Sequence, residues 1–141
     1  MKKAEKIVRK MINGDAFSNW LGIEVVKISE GFCKLKMIVR KEMTNGFNIT
    51  HGGISYSLAD SALAFAANSY GRQCLSVETC ISHTKKVVCG DSLIAETKEI
   101  SKNDKLAVYN IKITNQDNIE IAHFKGKVHR THREWFPTKS L

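Results

Sequence analysis

Between Gly52 and Gly71 the chain carries one charged side chain, Asp60. Around it, Ile54, Leu58, Ala59, Ala62, Phe65 and Ala66 recur at helical spacing, and Leu63, Ala64 and Ala67 carry the apolar surface round most of the circumference. A helix from about Gly53 to Asn68 that is apolar nearly all round has to be enclosed by the rest of the protein. The flanking sequence supplies the enclosure. Before the helix, LGIEVVKI and FCKLKMIVR are joined by Ser29, Glu30 and Gly31 and read as a hairpin. Phe32, Lys34 and Lys36 alternate there with Cys33, Leu35 and Met37. After the helix come four strand-like runs, Cys74 to Thr84, Asp91 to Ile100, Leu106 to Thr114 and Ile119 to Arg130. The polar turns KND and NQDN lie between the last three. Residues 2–13 form an amphipathic helix stopped by Gly14, and Asp15 caps a further turn reaching Trp20. The expected fold is therefore α+β: an N-terminal helix, and a long central helix covered by one face of an antiparallel sheet of five to six strands.

The length of 141 residues fits one domain, with an expected core over 14–130 and an irregular tail over 131–141. No apolar run approaches the roughly 20 residues of a membrane span. MKKAEKIVRKM has a basic start without an apolar stretch after it, so a cytoplasmic protein with no secretory signal is expected. Cys33, Cys74, Cys80 and Cys89 form no C-x-x-C pair and read as free thiols. Lys and Arg outnumber Asp and Glu by 22 to 14. That balance favours anionic partners: nucleic acid, an acidic surface or a phosphorylated small molecule. The basic run KGKVHRTHR, residues 125–133, reads equally well as a solvated face.

Asp60 within an enclosed helix has two kinds of reading. It can face solvent, pair with an arginine or be capped by Ser57. Alternatively it is a desolvated carboxylate with raised pKa, suited to proton transfer near neutral pH. His51-Gly52-Gly53 at the start of the helix adds to the second reading. First-turn N–H groups have no helical partner and carry the positive end of the dipole, so they can stabilise charge growing on a carbonyl oxygen. The same glycines also suit a tight turn, and His51 a loop-fixing hydrogen bond. Gly52 and Asp60 stand about 12 Å apart along one helix, at about 1.5 Å per residue. One helix therefore cannot offer both groups to one carbonyl. Two antiparallel copies can, so an active site built from them implies a two-fold dimer with two interfacial sites.

The pattern N-G-x-x-x-x-H-G-G-x-x-x-x-L-A-D-x-A over Asn45 to Ala62 resembles the hotdog-fold acyl-CoA thioesterases, specifically the phenylacetic acid degradation (PaaI-like) group. LADSALAFAANSYG, CGDSLIAE and VYNIKITNQDNIEIAHFKGKVHR extend the resemblance over roughly residues 14–130. It implies a long helix wrapped by a curved sheet, with protomers paired into homodimers and commonly into dimers of dimers. It implies hydrolysis of an acyl- or aryl-CoA thioester to free acid and CoA, with no cofactor and no metal. Asp60 is then the base or nucleophile, and the Gly52 amide the oxyanion donor from the opposite subunit. Asn45 and His51 orient the reacting groups, and Ser76 matches a strand serine that orients water. Gly53 lies in the substrate-binding turn, and Lys85, Lys86, Lys127 and Arg130 are candidates to meet the CoA phosphates. The stretch Ile81 to Lys86 departs from the group in lacking a proline. Phe47, Tyr56, Phe65 and Tyr70 either line an aryl pocket or belong to the core.

A hotdog dehydratase is disfavoured because Phe65, not His, stands five residues after Asp60. The alternative function is a non-catalytic hotdog that binds acyl-CoA, which would not need the carboxylate. A nucleic-acid binder is disfavoured by the absence of aromatics interleaved with a basic cluster. A metal site drawn from Cys89, His123, His129 and His132 lacks a paired ligand spacing.

Overall fold

The computed structural model describes residues 1–137. The chain runs α1 (Lys3–Asn13), α2 (Ala16–Leu21), β1 (Glu24–Ser29), β2 (Phe32–Ile38), a 3-10 turn (Lys41–Met43), α3 (Gly52–Asn68), β3 (Arg72–His83), β4 (Ser92–Lys102), β5 (Leu106–Thr114) and β6 (Glu120–Glu134). Six antiparallel strands form one sheet in the order β1-β2-β4-β5-β6-β3. The strand that follows α3 in the chain therefore lies at the far edge, beside the last strand.

The alternation in β2 decides which face of the sheet is buried. Cys33, Leu35 and Met37 are buried, while Lys34 and Lys36 face the other way. Leu93 and Ala95 of β4, Tyr109, Ile111 and Ile113 of β5, and Phe124 and Val128 of β6 continue that layer. Leu58, Ala59, Ala62, Leu63, Phe65 and Ala66 of α3 fill it from above. The basic run 125–133 is resolved by the same logic: Phe124, Gly126 and Val128 point to the helix, and Lys125 and His129 are exposed.

Asn68 ties the far end of α3 to the sheet. Its amide donates to the carbonyl of Ala64 at 2.8 Å, and its oxygen accepts from the Cys74 N–H at 2.9 Å and from the Trp135 indole at 2.8 Å. These bonds go with an extension of order past the expected boundary. Instead of an irregular tail from Thr131, β6 continues to Glu134, opposite Arg72, and the Thr131 hydroxyl donates to Gln73. The last part of the expected tail, 138–141, lies outside the described residues.

At Gly126 the sheet packs tightly against α3. A Cβ there would lie 2.5 Å from Leu63 Cδ2 and 3.1 Å from Phe124 Cε1. Both neighbours are buried, so neither can swing away. Gly126→Ala should overpack the core and cost about 1–3 kcal/mol. The check is a lower denaturant midpoint with an unchanged m-value.

Candidate active site

The loop before α3 is anchored before it delivers the helix. Asn45 Oδ1 accepts from the amides of Phe47 at 2.8 Å and Ile49 at 3.2 Å, closing a local turn. The Thr50 amide donates to Val87 at 2.8 Å, and the His51 amide to Met43 at 3.0 Å. His51 is the N-cap residue, with extended backbone and an exposed side chain that makes no capping bond. Gly52 and Gly53 then open the helix. Their amides donate to no backbone carbonyl among the described residues, as first-turn N–H groups must find partners elsewhere. A Cβ on Gly53 would meet nothing within 4 Å, so this turn is open to an incoming group.

Gly52 has a neighbour that the sequence did not point to. A Cβ on Gly52 would lie 3.0 Å from His83 Nε2, which sets the end of β3 against the start of α3. Ile49, Thr50, Gly52, Ser55, His83, Thr84, Lys85, Lys86 and Val87 together line a cavity of about 380 Å³. Thr50 Oγ1 is buried beside it without a hydrogen-bond partner. The sequence marks Lys85 and Lys86 as candidate phosphate contacts, but not His83 as the neighbour of Gly52. What makes it part of the site is that β3 runs antiparallel to α3, as two side-chain contacts show. Tyr56 Oη lies 2.6 Å from Thr79 Oγ1, and Asn68 bonds to Cys74.

Asp60 stands further along α3, outside that cavity. It is half-buried. No arginine pairs with it among the described residues. Ser57 does not cap it, because the Ser57 hydroxyl donates to the carbonyl of Gly53 at 2.7 Å. Burial first, and then the charge of Asp15, raise its carboxyl above the ordinary aspartate value. This leaves a desolvated carboxylate at one position on α3 and unsatisfied amides about two turns earlier.

The other expected site residues fall into separate places. Ser76 is exposed on β3 opposite Val128, without a hydrogen bond to Asp60 among the described residues. Lys85 and Lys86 are exposed at the cavity. Arg130 belongs to the far end of the strand pair, opposite Cys74, and Lys127 lies midway along it, opposite Glu78. His83 and Cys74 are nine residues apart on one strand, about 30 Å at the usual rise. Within one protomer Arg130 therefore cannot grip a small group held by Lys85 and Lys86. Arg130 is also engaged: its Nη1 donates to the Asn103 carbonyl at 2.6 Å. Of the aromatic residues, Phe65 is core, whereas Phe47 is 84% exposed. Tyr70 is held by Glu99 at 2.8 Å.

Comparison with known proteins gives this arrangement a family. The thioesterase superfamily profile matches residues 47–122, the segment from the loop before α3 into β6. A putative esterase of Archaeoglobus fulgidus is 37% identical over 95% of this chain and 87% of its own length. The acyl-coenzyme A thioesterase PaaI of Escherichia coli is 36% identical over 91% of each chain. The solved E. coli PaaI structure superposes with a TM-score of 0.91 at 35% identity, covering 94% of this chain and 96% of that one. The fold, the matched segment and the relatives together place the chain in the thioesterase superfamily, as a PaaI-like hotdog thioester hydrolase.

Proposed function

We propose that the protein hydrolyses acyl- or aryl-CoA thioesters at two sites shared between the protomers of a homodimer. One observation carries this reading. The free amide of Gly52 and the desolvated carboxylate of Asp60 lie on the same helix, too far apart to act on one carbonyl. Two α3 helices packed antiparallel bring the Gly52 end of one beside Asp60 of the other. The thioester oxygen then receives the Gly52 N–H as charge develops on it. Asp60 of the second protomer either takes a proton from the attacking water or attacks the carbonyl itself.

Further features support the pairing. Among the described residues β3 has one neighbour in the sheet, β6, so its other edge offers unpaired backbone groups to a second copy. Leu75 and Val77 on it are 65% and 57% exposed. An antiparallel pair also sets the Lys127 and Arg130 end of one protomer beside the Lys85 and Lys86 end of the other. Basic groups that are separate in one chain then converge on a CoA phosphate group.

Two measurements test the reading. Thiol release from phenylacetyl-, hydroxybenzoyl- and straight-chain CoA esters should identify a hydrolysed member of the panel; binding without release would favour a non-catalytic acyl-CoA binder. Mixing Asp60→Asn and Gly52→Pro protomers, each inactive alone, should restore about a quarter of wild-type activity. Half of randomly reassorted dimers are hybrids, and each hybrid carries one intact site. No recovery after subunit exchange would assign both groups to the same protomer.

A further inference from the structure

A second carboxylate, Asp15 at the N-cap of α2, reaches Ser61, the residue after Asp60, through a chain of hydrogen bonds. Asp15 caps that helix: its Oδ1 accepts from the Ser18 amide at 3.0 Å and its Oδ2 from the Ser18 hydroxyl at 2.6 Å. Ser18 is 1% exposed, and its oxygen lies 2.8 Å from Ser61 Oγ. A serine hydroxyl has one proton. Ser18 gives its proton to the Asp15 carboxylate, so the bond between the serines must be donated by Ser61. The Ser61 proton is thereby turned toward α2 and away from Asp60, its neighbour in the chain. The hydroxyl one turn earlier, Ser57, is committed to Gly53. Both serines that could neutralise Asp60 from its own helix are occupied.

Among the described residues, the surroundings add no compensating charge. α3 carries no other charged side chain. α1 turns Ala4, Ile7 and Val8 inward and leaves Lys3, Glu5, Lys6, Arg9 and Lys10 exposed. The strands under α3 present apolar residues, and Lys34 and Lys36 lie on the opposite face. On β3, Glu78 is exposed and Arg72 is paired with Asp104. Asp15, from α2, is the charged group that acts on Asp60.

On this basis, and resting on the assignment of Asp60 as the reacting carboxylate, we propose that the Asp15–Ser18–Ser61 chain positions Asp60 for reaction by holding the Ser61 hydroxyl away from it and setting a second negative charge beside it. Asp15 is thus a positioning residue that touches no substrate. The chain keeps the carboxylate poor in donors within its own subunit, so that its lone pairs remain available to water or to the thioester carbonyl.

The test is a carboxyl NMR titration of the full-length protein, with the Asp60 signal identified by its absence in Asp60→Asn. Asp15→Asn keeps a good helix cap while removing the charge. The Asp60 midpoint should move to lower pH in this variant, and the acid limb of the kcat/KM profile should move with it. An unchanged or raised midpoint overturns the proposal. Ser61→Ala gives a second, independent arm. Its hydroxyl is already turned away, so the midpoint should stay where it is; a rise would mean that Ser61 donates to Asp60, which also overturns the proposal. Failure of the underlying assignment would look different: Asp60→Asn itself would hydrolyse thioesters at the wild-type rate.

Discussion

Asp60→Asn is expected to lower kcat for thioester hydrolysis by about 10²–10⁴-fold, the range typical of removing a positioned acid–base group. The fold should survive, because the substitution is isosteric and Asp60 makes no ion pair among the described residues. Stability should rise, in a pH-dependent way. The folded protein holds the Asp60 proton to higher pH than the unfolded chain does, since its carboxyl is raised by burial and by Asp15. In that window the native state binds more protons, so stability falls as pH increases through the folded titration. Wild-type protein therefore loses stability that the asparagine variant keeps. A higher Tm for the variant at neutral pH should shrink to nothing below about pH 4, where the carboxyl is protonated in both states. Retained turnover, or a Tm difference that ignores pH, would remove Asp60 from the mechanism.

Gly52→Pro should be nearly as damaging, for a different atom. Gly52 is the first residue of α3, where proline fits because the N–H has no helical partner, and His51 before it has the extended backbone that proline requires. The variant deletes the N–H and leaves the helix. Loss of one oxyanion donor costs about 10²–10³-fold in kcat. Gly52→Ala is the control. Its Cβ meets the His83 ring at 3.0 Å, the same crowding that proline introduces, but the N–H remains. His83 is exposed and can yield. Kinetics should therefore separate the two, with alanine losing much less kcat than proline. Equal losses would assign the effect to crowding at His83 rather than to the amide.

The features that can be read from the sequence share one property: they are local. The uncharged stretch around Asp60 predicts α3 within a residue of its observed start, because an all-round apolar surface leaves few alternatives. The alternation of Lys34 and Lys36 with Leu35 and Met37 predicts the buried face of β2 for the same reason. What the sequence hides is distant in the chain. His83 meets Gly52, and Ser18 meets Ser61, only after β3 has crossed to the far side of β6 and α2 has packed on α3. Asp15 looked like a helix cap and is one; its charge beside Asp60 comes from tertiary packing that no spacing encodes. The basic residues do not form one group within a protomer. Lys85 and Arg130 share a charge but stand at opposite ends of one strand pair, and only the register makes that visible.

The position of β3 also bears on synthesis at the ribosome. β3 is complete at His83, yet its partner runs from Glu120 to Glu134. Until β6 leaves the exit tunnel, α3 is covered on one flank only, and β3 lacks its partner strand in the sheet. The chain must therefore pass through a stage in which its most apolar helix is made but not enclosed. Loop closure over such separations slows folding, so the arrival of β6, rather than the completion of β3, sets when this fold can become compact.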